Sequence, residues 1–312
     1  MIEKCKTRSA LATWMISAAI LTTGMSISVF AESHLTLKNE SVQVDQMPEK
    51  NELIVAYYGR PGVKSLGVLG EHSIATLKPM IKKKAALYAK VTGKHVRPGF
   101  DIIYGLAAAD PGPRKDYIIH LNSKKLLPYI DAAENEGFVL FLETQLGKHQ
   151  PQDAIHHTLK YLNHHNVHLA IDPEFEVSNL KVRPGKKIGR VEASWINQVQ
   201  DIMDKYMKKN GIKEKKILLL HMFRHTMVEH KEQLKHYDNI DLIFNLDGHG
   251  SPKLKVDIYN AIYSKKYADK VAGGFKLFFK EDHPMMTPKE VMGLEHAQGA
   301  KVKYPPKLIN YQ

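Results

Sequence analysis

The chain has 312 residues, 43% of them hydrophobic and 25% charged, proportions that exclude a disordered tail or a fibrous repeat and allow one sizeable core. Lysine and arginine number 45 against 33 aspartate and glutamate, a formal charge of +12. That balance favours anionic partners, among them wall polymers, membrane surfaces and nucleic acid, and names none of them.

Met1 to Arg8 carries Lys4, Lys6 and Arg8 against Glu3, and an uncharged apolar stretch follows from Ala10 to Ala31. This order of features predicts a secretory signal, with cleavage after Val29-Phe30-Ala31. A retained membrane anchor is the rival, because the stretch is nearly long enough to span a bilayer. Thr22, Thr23, Gly24 and Ser26 weaken its far end as a membrane helix. The one cysteine, Cys5, precedes the stretch, so no lipid-modified cysteine follows it, and a cleaved chain would have neither disulfides nor thiol chemistry. Glu32 to Asn51 is polar and aperiodic, a flexible leader onto one domain spanning 52–312.

From Glu52 onward, short runs rich in β-branched and aliphatic residues alternate with longer segments of helical period. Eight runs read as strands: Leu53 to Tyr57, Val96 to Tyr104, Phe138 to Thr144, Val167 to Asp172, Ile217 to Met222, Ile240 to Leu246, Val271 to Phe278 and Leu308 to Tyr311. Pro98 and Gly99 make the second the least regular. Helical stretches include Ile74 to Val91, Lys124 to Glu136, Asp153 to Asn163, Ala193 to Lys209 and Val256 to Ala268. Eight β units with seven intervening helices predict an α/β fold, a (β/α)₈ TIM-type barrel that ends on strand eight and closes it against strand one. A doubly wound open sheet is the alternative, but Gly59-Arg60-Pro61-Gly62 lacks the glycine spacing of its phosphate turn.

Barrel chemistry sits at the C-terminal strand ends. There the sequence offers Tyr57 and Arg60, Asp101 and Tyr104, Glu143 and Gln145, Asp172 and Glu174, His221 and Arg224, Asn245, Asp247 and His249, Lys276, and Asn310 and Gln312. In Leu169-Ala170-Ile171-Asp172-Pro173-Glu174-Phe175 the two carboxylates stand two positions apart, which alternation places on one face. Repulsion and burial would keep Glu174 protonated as a general acid while Asp172 stays ionised; the bland reading is that Asp172 caps a turn. Histidines 156, 157, 164, 165 and 168 fall on several faces and read as a solvated surface. The loop from Glu176 to Val191 carries Lys181, Arg183, Lys186, Lys187 and Arg190, suited to an acidic polymer.

The Asp-x-Glu at the end of strand four resembles that of secreted (β/α)₈ glycoside hydrolases, in particular chitinase-like and bacteriophage-lysozyme-like families. The resemblance implies that Glu174 is the proton donor and that Asp172 orients the acid or the substrate. The upstream aspartates of the chitinase-like motif are absent, with Val167 and Ala170 in the strand, and Ala56 and Tyr57 stand where the lysozyme-like families have an aspartate.

The resulting expectation is a secreted or extracytoplasmic hydrolase of cell-wall or extracellular polysaccharide. Glu174, Asp172, Asp247 and Glu143 would be catalytic; Tyr57, Arg60, Asp101, Tyr104, His221, Asn245, His249, Lys276 and Gln312 would bind substrate. No cofactor, no nucleic-acid partner and no membrane span after cleavage are expected. A metal-dependent hydrolase with ligands among Asp172, Glu174, His221, Asp247 and His249, and a non-catalytic wall-binding barrel, are the alternatives. For the export segment, the expected mature chain begins at Glu32; N-terminal sequencing of the exported protein checks it, and a membrane-held chain retaining Met1 would overturn it.

Overall fold

The computed structural model of the protein describes residues 52–312 apart from Asn179, Ser264 and Ala268, so the export segment and leader lie outside the described residues. The eight barrel strands are β1 (Leu53–Gly59), β2 (Val96–Ala107), β3 (Val139–Gln145), β4 (Val167–Asp172), β5 (Lys216–Met222), β6 (Ile240–Leu246), β7 (Ala272–Leu277) and β8 (Leu308–Tyr311). They pair in parallel in chain order. β8 meets β1 from Ile54↔Leu308 to Tyr57↔Tyr311, and β1 meets β2 from Leu53↔Val96 to Gly59↔Ile102, so the sheet closes into a TIM-type barrel.

Local sequence sets the helices that wrap it. In α1 (Ile74–Thr92) the Ser73 hydroxyl accepts the Thr76 N–H, and Gly93 ends the helix at φ 67°, a left-handed conformation that suits glycine. Asn122 and Gly137 bracket α2 (Ser123–Glu136) in the same way. α3 (Pro151–His156) is followed by a 3₁₀ turn at Leu159–Asn163, so the single helix expected over 153–163 is broken. At the break the Thr158 hydroxyl donates to the Ile155 carbonyl, a local bond that competes with helix continuation. α4 (Ala193–Lys209) buries Ile196, Val199, Met203 and Met207, while Ile202 and Tyr206 are only half-buried. α5 (Pro252–Ile262) starts four residues before the expected Val256, because Ser251 caps it and Pro252 occupies its first turn, where a missing N–H costs nothing.

The expectation of seven helices is corrected. Between β5 and β6 the helical elements of the described chain are 3₁₀ turns, at His225–Met227 and Lys231–Gln233, and the β7–β8 connection carries a four-residue helix, Pro288–Val291. Short strands outside the barrel also escaped the pattern: Ile118–His120 pairs antiparallel with an extended β2, and Val191–Glu192 pairs with Val228–Glu229.

Two apolar layers hold the fold. The outer layer packs helices on the sheet; the inner one fills the barrel with Ile54, Ala56, Val139, Phe141, Ala170, Ile217, Leu219, Ile243 and Leu308. The closing strand is tied to both, since Leu308 belongs to the plug and the Tyr311 hydroxyl lies 2.7 Å from that of Tyr88 on α1. Deleting residues 308–312 should uncover the facing edges of β1 and β7 and produce aggregation in size-exclusion chromatography; a monomeric truncation that unfolds as cooperatively as the parent would contradict this.

Candidate functional site at the barrel mouth

Side chains alternate along a strand, so the parity that sends Ile54 and Ala56 into the barrel sends Tyr58 there too. Continued on every strand, it places one polar residue from each at the height of Tyr58, namely Asp101, Glu143, Asp172, His221, Asn245, Lys276 and Asn310, with His168 of the same parity lower in β4 and Gln145 at the end of β3. All eight are buried. They form a polar ring above the apolar plug, at the C-terminal end of the barrel.

His221 is the hub. Its Nδ1 lies 3.1 Å from Asp247 Oδ2, and its Nε2 lies 3.2 Å from Asp101 Oδ2 and 3.3 Å from Glu143 Oε2. Nε2 is within ion-pair reach of both carboxylates yet aligned for a hydrogen bond with neither. Asn310 Nδ2 donates to Asp101 Oδ2 at 2.7 Å, and the Tyr58 hydroxyl donates to Glu143 Oε1 at 3.0 Å. Lys276 Nζ contacts Asp247 Oδ1 at 2.8 Å and sits 3.2 Å above the Tyr58 ring. Gly274 makes room for this packing, because a Cβ there would fall 2.7 Å from Asn245 Oδ1.

Above the ring opens a cavity of about 390 Å³ lined by Tyr58, Gln145, Asp172, Glu174, Asp247, His249, Lys276 and Gln312, with Phe175, Phe223 and Phe278 as apolar walls. β4 ends at Asp172, and Glu174 lies in the 3₁₀ turn Pro173–Phe175; Asp172 Oδ1 accepts the Glu174 N–H at 2.8 Å. Asp172 therefore caps the turn and lines the cavity as well. Buried Asp282 fastens two walls of the mouth. It accepts the N–H groups of Gly250 and Phe278, each at 2.9 Å, and pairs with Lys255 at 2.8 Å.

The carboxyls differ in what surrounds them. Burial, then the neighbouring Glu143 and Asp247, push Asp172 well above the usual carboxylate range. Burial raises Glu143 to about 7 against the pull of His221, and Glu174 is raised by burial and by the charge of Asp247. Burial also works upward on Asp247, but Lys276 and His221 overcome it and bring it down to about 2. For His221, burial acts downward and is outweighed by Glu143 and Asp101, which hold the imidazole well above its ordinary value.

Of the expected site residues, Glu174, Asp172, Asp247, His249, Lys276 and Gln312 line the cavity, while Asp101, Glu143, His221 and Asn245 lie in the ring beneath it. Three stand elsewhere. Tyr57 has the opposite parity and packs outward against Tyr311 and Phe279, its hydroxyl donating to the Met80 carbonyl. Tyr104 packs outside the barrel against His120 and Tyr161. Arg60 is a tether, donating to the carbonyls of Ile103, Tyr104 and Ile119. Tyr58 takes the place given to Tyr57, and the phenylalanine walls went unread. Among the described residues, the potential metal ligands brought within reach of one another are Asp101, Glu143 and His221, not the set drawn from the sequence. His168, expected at the surface, is fully buried and accepts the Ile217 N–H through Nδ1.

No protein family and no curated protein matches the sequence. Among solved structures, the chain is similar to the clostridial cellulose synthase subunit Z (CcsZ) from Clostridioides difficile, at 9% identity and a TM-score of 0.45, over 83% of this chain and 91% of that one.

Proposed function

We propose that this chain is a hydrolase of a polysaccharide or related glycan, working by carboxylate acid/base chemistry with Glu174 as proton donor and Asp247 as the ionised partner. The observation that carries the reading is that both carboxyls line one cavity while their surroundings drive them apart: Lys276 holds Asp247 ionised, and the charge of Asp247 helps keep the proton on Glu174. Carboxyls separated in this way are suited to opposite roles across a scissile glycosidic bond. Asp172, whose carboxylate oxygen accepts the Glu174 amide, positions the turn that presents the donor.

The walls agree with a sugar ligand. Phe175, Phe223 and Phe278 offer apolar faces to the C–H side of a pyranose, and Gln145, His249 and Gln312 offer polar groups at the rim. The basic loop after Glu176 is fixed to the donor itself, because the Gly189 N–H donates to the Glu174 carbonyl at 2.7 Å. Lys181, Arg183, Lys186, Lys187 and Arg190 on that loop are exposed, which extends the proposal toward an acidic wall polymer met after export.

Glu174→Gln keeps the shape and removes the transferable proton. Hydrolysis, followed as reducing-end release across a panel of wall and extracellular polysaccharides, should fall by about 10²-fold or more while binding persists. Normal turnover in the variant would overturn the assignment. The pH dependence has a definite sign. A donor is loaded below its own pKa and empty above it, so activity should decline as pH rises through the raised pKa of Glu174, and this alkaline limb should vanish from the residual activity of Glu174→Gln.

A further inference from the structure

Buried polar atoms are almost always hydrogen-bonded, and clusters of exceptions mark a missing water or ion. Among the described residues, five atoms of the polar ring are buried without a hydrogen-bond partner: Asp101 Oδ1, Glu143 Oε2, His221 Nε2, Asn245 Oδ1 and Asn310 Oδ1. Three of them belong to residues on separate strands, β2, β3 and β5, whose ligand atoms all lie within 4.8 Å of one another. From this we propose that Asp101, Glu143 and His221 form a divalent-cation site inside the barrel, taking a first-row ion such as Zn²⁺ or Mn²⁺.

The direction of the histidine nitrogen is the first argument. Nε2 has carboxylate oxygens at 3.2 and 3.3 Å and is aligned for a hydrogen bond with neither. The 3.3 Å from Nε2 to the unbonded Glu143 Oε2 is the separation of two ligands that share one tetrahedral ion at about 2.0 Å, and Asp101 offers its own unbonded oxygen, Oδ1.

Each ligand also has support behind it. A coordinating imidazole usually gives its other ring nitrogen to a carboxylate, and coordinating carboxylates are themselves hydrogen-bonded. Here His221 Nδ1 faces Asp247, Glu143 Oε1 takes the Tyr58 hydroxyl, and Asp101 Oδ2 takes the Asn310 amide. Every ligand is thereby held from behind. Three carboxyl groups, Asp101, Glu143 and Asp247, stand around the imidazole. One imidazole with two carboxylates suits a borderline first-row ion better than Ca²⁺, which takes an all-oxygen shell.

The inference does not rest on the glycan reading, and its test uses no activity. The full chain, dialysed against chelator, is titrated with ZnCl₂ and separately with MnCl₂, and bound metal is counted by elemental analysis. One equivalent of at least one ion should bind at micromolar concentration or tighter, and Asp101→Asn and Glu143→Gln should each weaken it by about tenfold or more. Circular dichroism of the metal-free variants should overlay that of the metal-free parent. Should either variant fail to fold, pulsed paramagnetic resonance of the parent with Mn²⁺ decides: coupling to one imidazole nitrogen supports the site, and no nitrogen coupling overturns it. Absence of stoichiometric binding by both ions, or binding unchanged in both variants, also overturns it. So does binding abolished by His149→Ala with His157→Ala, which would move the ion to the histidine cluster beside Asp116.

Discussion

Closure of the sheet is the constraint from which the rest of the site follows. Once β8 is hydrogen-bonded to β1, the inward residues of eight strands at one height have nowhere to go but toward one another. In an open sheet Asp101 and Asn310 would sit far apart on different strands. In the barrel the Asn310 amide is bonded to the Asp101 carboxylate across more than two hundred residues of sequence. The apolar plug below supplies the other half of the effect, because it excludes water from the lower side and leaves the ring groups only each other as partners.

Gathering charges in this way is costly to stability, since buried ion pairs regain by mutual attraction only part of the hydration they lose. The arrangement limits that cost by chaining the groups. Lys276 faces Asp247, Asp247 faces His221, and His221 lies between Asp101 and Glu143. Burial and neighbouring charge raise the pKa values of Asp172 and Glu174. A ring built only for stability would be apolar like the layer beneath it, so its polarity argues for use rather than for folding.

The eight strands were legible because parallel barrel strands, buried on both faces, read as unbroken runs of β-branched and aliphatic residues between turn signals. The same property hid their orientation. In Leu53-Ile-Val-Ala-Tyr-Tyr-Gly59 both parities are apolar, so nothing local tells Tyr58 from Tyr57; only the register with β2 and β8 does. Asp101, Glu143 and His221 were visible as polar intrusions in apolar runs, but their convergence needs the curvature of the sheet. The β5–β6 connection misled for another reason. His225 to Gln233 holds short 3₁₀ turns and a two-residue strand, structures set by contacts with distant elements rather than by periodicity.

Asp282 gives the mouth a mechanical property. One carboxylate holds the loop after β6 through Gly250, the end of β7 through Phe278, and α5 through Lys255, whose ammonium also reaches the Gly248 carbonyl. Asp282 thus joins the walls that carry His249 and Phe278 to each other, beyond the separate backbone bonds that tie Leu277 and Phe279 to Gln312 and Asp247 to Met222. Because the Gly250 and Phe278 amides are bonded to the two oxygens of one carboxylate, an opening that withdraws the Asp282 side chain exposes both amide hydrogens to exchange at once.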